Sequence, residues 1–347
     1  MKTIRLGRTN IRVPQLGFGG IPIQRLNESD AVKVVERCLD LGVVYLDTAN
    51  GYSTSEERIG KAIKGRRDKV VLATKTAPIN KEIIEKNLKL SLTRLGVDYI
   101  DIYQIHGVST MSALESVLSP GGALDVFREA QKAGYIRHIG ITSHQIDVAK
   151  KAVESNQFST LMFPFNFMAT EAADILLPIC RQLDIGFISM KPLAGGMVDN
   201  AAVCFKYLAS FDDVLLIPGI EKTWEIEEIH QIMEGPLTLT ADEKKEMERI
   251  KQELGPHFCH RCDYCQPCTA GIPISMMTSV KSFYKRLPPE RFFGEMVGPM
   301  MTKAASCTQC GKCEERCPYH LPIRQMISEQ LEWFNQEKTR WEAKTRT

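Results

Sequence analysis

An aspartate that closes an apolar run, with a tyrosine five residues on, is the first arrangement in this chain that could do chemistry. In Leu46-Asp47-Thr48-Ala49-Asn50-Gly51-Tyr52, the run Val43–Leu46 is apolar and β-rich, Asp47 ends it, and Asn50-Gly51 turns the chain. A free tyrosine phenol holds its proton until about pH 10, so a proton-donating Tyr near neutrality needs a cation beside it. Alone, Asp47 and Tyr52 read as a capped strand end and a loop residue. Two later apolar runs change that reading. Lys75 follows Lys69–Thr74, and His106 follows Tyr99–Ile105. If these runs are neighbouring strands, Asp47, Lys75 and His106 converge, with Tyr52 in the loop after the first. Lys75 would then stabilise a phenolate, Asp47 would hold Lys75 charged and oriented, and a neutral His106 would hydrogen-bond a substrate carbonyl. Each residue has a bland reading, a strand-end ion pair or a satisfied buried histidine. Adjacent strand ends carrying all of them point to a proton-donor site.

The second set is eight of the eleven cysteines, which fall between Cys259 and Cys317. Cys38, Cys180 and Cys204 lie in helix-like apolar patterns, where a small buried thiol is expected. The others form Cys259-x-x-Cys262-x-x-Cys265-x-x-Cys268 and Cys307-x-x-Cys310-x-x-Cys313-x-x-x-Cys317-Pro318. The second run has the spacing of a bacterial 4Fe–4S ferredoxin motif, whose fourth cysteine ligates the other cluster. That assigns Cys259, Cys262, Cys265 and Cys317 to one cluster and Cys307, Cys310, Cys313 and Cys268 to the other. Two zinc sites are the alternative, but zinc motifs rarely show this triple spacing with a trailing Cys-Pro.

These residues need elements to position them. With 347 residues, 44% hydrophobic and 25% charged, the chain can hold one large domain and a small one. Its formal charge of +2 gives no cue to nucleic acid or an anionic membrane. No apolar run approaches bilayer length, and the N-terminus lacks a signal-peptide core. A disulfide scaffold does not suit such a chain, so metal-bound cysteines and a cytoplasmic location are expected. After a small hairpin over Lys2–Val13, apolar strands alternate with helical patterns from Gln15 to about residue 254. Eight such strands predict a closed (β/α)₈ barrel, with chemistry at the strand C-ends. The polar residues and glycine at those ends are Asp47, Lys75, His106, Ser143, Asn166, Lys191 and Gly219. The expected domains are a barrel over 1–254 and a mostly helical iron–sulfur domain over 255–347. In the latter, Ile274–Arg286 and Gln325–Trp341 read as helices, and Leu287–Glu290 and Gly298-Pro299 as loops. Leu331, Trp333 and Phe334 are expected to dock on the protein.

The segments Leu46–Tyr52, Ala73-Thr74-Lys75 and Gln104-Ile105-His106 resemble the aldo-keto reductase family, whose tetrad is Asp, Tyr, Lys and His in this order. Leu16-Gly17-Phe18-Gly19-Gly20 resembles its first strand and Ile139–Ser143 its fifth, so the resemblance covers about residues 1–250. It implies reversible carbonyl reduction, with hydride from NAD(P)H and the proton from Tyr52. It also implies Gly19, Gly20, Ser143, Asn166, Lys191 and Gly219 as cofactor-side candidates. The chain departs from the family at several of these positions. Met162 stands where a Gln is usual and Met190 where an aromatic stacks on nicotinamide. Gly219 and Glu225 replace a Lys and an Arg at the 2′-phosphate, and Ile229 replaces an adenine-contacting Asn. A carboxylate there repels a phosphate, which argues against NADPH preference. The tail resembles that of ferredoxin-linked members.

Three functional readings follow. The first is an NAD(P)H-dependent oxidoreductase acting on a small carbonyl substrate. The second is an electron-transfer oxidoreductase fed by a ferredoxin or other redox partner, with a flavin in the barrel, because clusters pass single electrons and nicotinamide passes hydride. The third is a non-enzymatic iron–sulfur carrier or interaction module, against which the complete tetrad speaks.

Overall fold

The computed structural model describes residues 1–345. The chain divides into two compact units, Met1–Lys244 and a second beginning at Lys245. That division lies inside the helix Ala241–Leu254, whose end had been the expected boundary.

In the first unit, β1 (Thr3–Arg5) and β2 (Arg12–Pro14) form the antiparallel hairpin. The strands β3 (Phe18–Gly19), β4 (Tyr45–Asp47), β5 (Val71–Thr76), β6 (Ile100–Ile105), β7 (Ile136–Thr142), β8 (Thr160–Pro164), β9 (Gly186–Met190) and β10 (Val214–Ile217) then pair in parallel, each with the next. Parallel bridges Leu16–Leu216 and Gly19–Gly219 join the first strand to the last and close the barrel. Closure depends on a side-chain-free position: the Gly19 amide donates to the Pro218 carbonyl at 2.7 Å, and a Cβ on Gly19 would stand 2.7 Å from that oxygen. The expected (β/α)₈ architecture is therefore present.

Alternation along each strand decides what fills the barrel. Tyr45, Ala73, Ile102, Met162, Ile188, Leu215 and Ile217 pack inside, with Ile4, Leu6 and Val13 of the hairpin region in the same core. Local signals set the helices around it. Lys81–Leu95 starts where the Asn80 side chain accepts from the Ile83 amide at 2.9 Å, and stops at Gly96, whose φ of +65° suits glycine. The helical pattern after β8 forms two helices, Glu171–Ile175 and Leu177–Gln182. Pro178 sits in the first turn of the second, where its missing N–H is tolerated. The helix Met111–Leu118 is capped by Thr110, whose hydroxyl accepts from the Ala113 amide at 3.1 Å.

The second unit is helical and has its own core. Phe292, Phe293, Met301, Met326 and Phe334 are buried in it, and Leu331, Trp333 and Trp341 pack against it. The C-terminal helix Ile323–Thr345 thus spends its aromatics on packing. Three expectations need correcting. Of Leu287–Glu290, expected as loop, Pro289 and Glu290 open the helical turn Pro289–Arg291. The segment 274–286 breaks into Ile274–Met277 and Val280–Tyr284. At the break, the Thr278 and Ser279 hydroxyls donate back to the Ile274 and Ser275 carbonyls at 3.2 and 2.9 Å, in competition with the helix ladder. Gly298-Pro299, expected as loop, opens the helix Gly298–Ala304, with proline in its first turn.

Candidate active site and cysteine sites

The register places the first set of residues. Asp47 ends β4, Lys75 lies near the end of β5, and His106 follows β6. The Lys75 ammonium donates to Asp47 Oδ1 at 2.5 Å and to the Thr48 carbonyl at 2.6 Å. Its Nζ stands 5.1 Å from the Tyr52 ring centre. Tyr52 and His106 meet edge to face, with ring centres 5.9 Å apart. The loop carrying Tyr52 is pinned at Asn50. Its amide N–H donates to the Lys75 carbonyl at 2.9 Å, and its side chain donates to Ser91 Oγ at 3.2 Å.

Burial sets the electrostatics. Lys75 is 1% exposed and Asp47 3%. Burial pulls the Lys75 pKa down, but Asp47 and Tyr52 outweigh it and hold the ammonium above its usual range. Burial also pushes the Asp47 carboxyl up, with Lys75 and Gln104 pulling against it. For His106, burial first and the Lys75 charge second push the imidazole down to about 3, so it is neutral at physiological pH. The group thus contains a charged ammonium against a phenol and a neutral imidazole beside it. It can deliver a proton to an oxygen at the barrel mouth.

One member was not singled out from the sequence. Gln104 is fully buried, and its Nε2 donates to Asp47 Oδ2 at 3.0 Å. The alternation Ile102, Gln104, His106 on one strand face was the available signal.

The cofactor-side candidates are spread around the mouth. Gly19 and Gly219 form the closing bridge. The Gly20 amide donates to the Asp47 carbonyl at 2.7 Å. Ser143 is buried; its hydroxyl donates to the Val108 carbonyl at 2.7 Å. Asn166 is also buried. Its amide donates to the Lys191 carbonyl at 3.0 Å, and its carbonyl accepts from the Met168 and Ala169 amides. Both side chains shape loops through these bonds. Lys191 adopts a φ of +60° where the chain leaves β9. Met162 is buried and Met190 is partly exposed. Glu225 caps the helix Thr223–Glu234, accepting from the Glu221 and Lys222 amides at 2.7 and 2.9 Å. Ile229 is buried in the same helix.

In the second unit all eight cysteines are unpaired thiols. Cys265, Cys268, Cys307, Cys310 and Cys313 line one cavity, with Ile272 and Ile274 as apolar wall. The Cys262 thiol is pushed up by burial and then by Cys259 and Cys317 as neighbours. Cys265 is pushed up to about 12 by burial, with Cys259 and Cys262 adding to it. Cys259, Cys262 and Cys317 are therefore neighbours, Cys268 shares the cavity with Cys307, Cys310 and Cys313, and Cys265 neighbours Cys259 and Cys262 while also lining that cavity. Among the described residues, no three His, Cys, Asp or Glu side chains are close enough to share a single metal ion. No described helix is long and apolar enough to cross a membrane.

A closed eight-stranded parallel barrel with Asp, Tyr, Lys and His at its mouth defines the class. The profile of the aldo/keto reductase family matches residues 15–204, more than half of the chain. The chain belongs to the aldo/keto reductase family, a family of oxidoreductases. It is 28% identical over 212 residues to the uncharacterized oxidoreductase YqkF of Bacillus subtilis, covering 57% of this chain and 67% of that one. It is 30% identical over 217 residues to the aldo-keto reductase YhdN of the same organism, covering 57% and 64%. The matches thus span about two thirds of the length of these relatives. Among solved structures, the holo form of an aldo-keto reductase from Bacillus halodurans superposes with a TM-score of 0.63 at 25% identity, covering 72% of this chain and 96% of that one. An aldo-keto reductase from Klebsiella pneumoniae in complex with NADPH gives 0.61 at 22% identity, covering 72% and 94%, and shares the fold.

Proposed function

We propose that the barrel reduces the carbonyl of a small aldehyde or ketone, or runs the reverse reaction, with Tyr52 as general acid. The observation that carries this reading is the Lys75 ammonium held between Asp47 and Tyr52 at the C-terminal ends of neighbouring strands. In it, Lys75 stabilises the phenolate that remains when Tyr52 gives up its proton, and Asp47 keeps the ammonium oriented. The neutral His106 ring donates a hydrogen bond to the substrate oxygen and fixes its approach to Tyr52. The chemistry a bound nicotinamide supplies is hydride to the carbonyl carbon. Gly19, Gly20, Ser143, Asn166, Lys191 and Gly219 form the wall against which it would lie. The NADPH held by the Klebsiella neighbour supports a nicotinamide there. Glu225, at the position where the resemblance implies an Arg against the 2′-phosphate, makes the site less suited to the 2′-phosphorylated form.

The second unit is read as a carrier of two 4Fe–4S clusters, one on Cys259, Cys262, Cys265 and Cys317, the other on Cys268, Cys307, Cys310 and Cys313. A 4Fe–4S cluster would need four thiols facing one space, and the cavity lined by Cys268, Cys307, Cys310 and Cys313, with Cys265 also on its wall, supports that reading for the second set. Such clusters supply single-electron transfer. Met162 and Met190, in place of the nicotinamide contacts that the resemblance implies, favour a second reading, in which the barrel holds a flavin and exchanges electrons with a ferredoxin-type partner.

The experiment is anaerobic purification, identification of released small molecules, and turnover of 4-nitrobenzaldehyde with NADH and NADPH. Tyr52→Phe is expected to lower reduction about 100- to 10,000-fold while leaving cluster absorbance unchanged. Unchanged turnover would sink the proton-donor assignment. A released flavin, with nicotinamide bleaching the clusters, would favour the second reading.

A further inference from the structure

Gln104 lies beside Lys75 in the β5–β6 register and is fully buried. Its side chain meets the carboxylate of Asp47 on the oxygen that Lys75 does not take. Lys75 holds Oδ1 at 2.5 Å and Gln104 holds Oδ2 at 3.0 Å. A carboxylate can only accept here, so the amide nitrogen, and not the amide oxygen, must face it. That leaves Gln104 Oε1 inside the barrel, where it has no hydrogen-bond partner among the described residues.

The surroundings were shaped to admit this side chain. Gly140 is its register neighbour on β7. A Cβ on Gly140 would stand 2.9 Å from Gln104 Cγ and 2.4 Å from Thr160 Oγ1. No larger residue fits there without displacing the amide or the hydroxyl. Apart from the Thr160 hydroxyl and the Asp47–Lys75 pair, the barrel interior is apolar, with Ile102, Met162 and Ile188 in its core. A leucine at position 104 would fill that space without stranding a buried carbonyl. Keeping an amide at a cost to folding points to a role in the site, not in packing.

We propose that Gln104 is a positioning residue for proton donation: its amide locks the ionised form of Asp47 in the orientation that presents Oδ1 to Lys75. The inference rests on the proton-donor reading of Tyr52, Lys75 and Asp47. Gln104 touches neither substrate nor cofactor in this scheme and acts through Asp47. A donor held against a carboxylate favours its ionised form. Removing the amide therefore favours the protonated acid, and Lys75 loses its counter-charge at a higher pH than before.

The test compares the full-length wild-type protein with Gln104→Leu and Gln104→Glu. Protonation of Asp47 is followed by its infrared carboxyl band, assigned by subtraction of Asp47→Asn. The pH profile of 4-nitrobenzaldehyde reduction is recorded alongside. In Gln104→Leu, the Asp47 band is expected to titrate about one pH unit higher, and the acid limb of turnover should move with it. Nicotinamide affinity should stay within about twofold of wild type, because the amide is engaged on Asp47. Gln104→Glu keeps the shape and places a second carboxyl against Oδ2, so the pair should take up its first proton at a still higher pH. A folded variant whose band and acid limb both stay in place overturns the proposal, and a uniform loss of rate at every pH would mark Gln104 as packing only. If Tyr52→Phe retains full turnover while the band still moves, the proton-donor reading fails and the Gln104–Asp47 coupling stands.

Discussion

Tyr52 and His106 stand edge to face with their ring centres 5.9 Å apart, and the imidazole is the member that burial and Lys75 keep neutral. A neutral ring offers one N–H and one acceptor nitrogen, so it can donate to a carbonyl oxygen without competing to be the acid. The folded-state pKa of about 3 lies below the ordinary histidine value of 6.5. His106 therefore contributes stability that is complete above pH 6.5 and is lost as pH falls toward 3. Nitrogen NMR of labelled histidine should find this ring neutral throughout the physiological range, and His106→Gln should reduce the fall in melting temperature between pH 6 and 4. A ring at position 106 that titrates near 6.5 would contradict the assignment.

The Lys75–Asp47 pair makes a stability prediction. Removing one partner of a buried ion pair leaves the other charge without compensation, at a cost of about 3–5 kcal/mol. Lys75→Met should therefore lower denaturant stability by that order, visible as a shift in midpoint at constant slope. Replacing both charges, as Asp47→Asn with Lys75→Met, should recover most of the loss, because the asparagine carbonyl can still accept from Gln104. Activity should stay absent in both. A double variant no more stable than the single one would show that the pair's environment, and not the stranded charge, carries the effect.

The cysteine grouping crosses sequence order, and that makes it testable. Cys317 lies four residues after Cys313 but neighbours Cys262, while Cys268 shares the cavity of Cys307, Cys310 and Cys313. Cys310→Ala and Cys268→Ala should therefore each lose about half of the iron and leave the same electron paramagnetic resonance signal behind. Cys317→Ala should remove the other signal. The barrel's thermal transition should not move in any of the three. Zinc in place of iron, or a Cys268 variant that behaves like Cys262→Ala, would overturn the assignment.

Much of this was readable from the chain because local signals coincide with the barrel's needs. Asn80 and Gly96 bound a helix of the expected extent, and Asp47 and Lys75 announce themselves as charges at the ends of apolar runs. Gln104 did not, although its face was fixed by alternation with Ile102 and His106. Its partner lies on β4, with β5 between, and the pairing register that sets them side by side is not written in either segment. Ser143 and Asn166 show the converse. Their polarity at strand ends was plain, but the Val108 and Lys191 carbonyls they bind belong to neighbouring loops whose paths no local pattern encodes. In the second unit, the break at Thr278-Ser279 turns on two hydroxyls choosing backbone carbonyls, a competition too even for periodicity to resolve.

Glu225 yields the last prediction, on cofactor choice. Its carboxylate accepts from the Glu221 and Lys222 amides, and Glu221 beside it is pushed up by burial and, despite Arg25, by the Glu225 charge. The segment after β10 thus carries a carboxylate, Glu225, where the family resemblance implies an Arg at a 2′-phosphate, with a second carboxylate, Glu221, beside it. NADH should bind at least as tightly as NADPH, measured by quenching of intrinsic fluorescence. Glu225→Gln keeps an acceptor for the helix amides and removes the charge. It should improve NADPH binding by up to about tenfold, or about 1.4 kcal/mol, with little effect on NADH. The gain should shrink at high salt, since it arises from relief of charge repulsion. A substitution that weakens both cofactors equally would instead mean that Glu225 acts only as a helix cap, whose loss typically costs about 0.5–2 kcal/mol of stability.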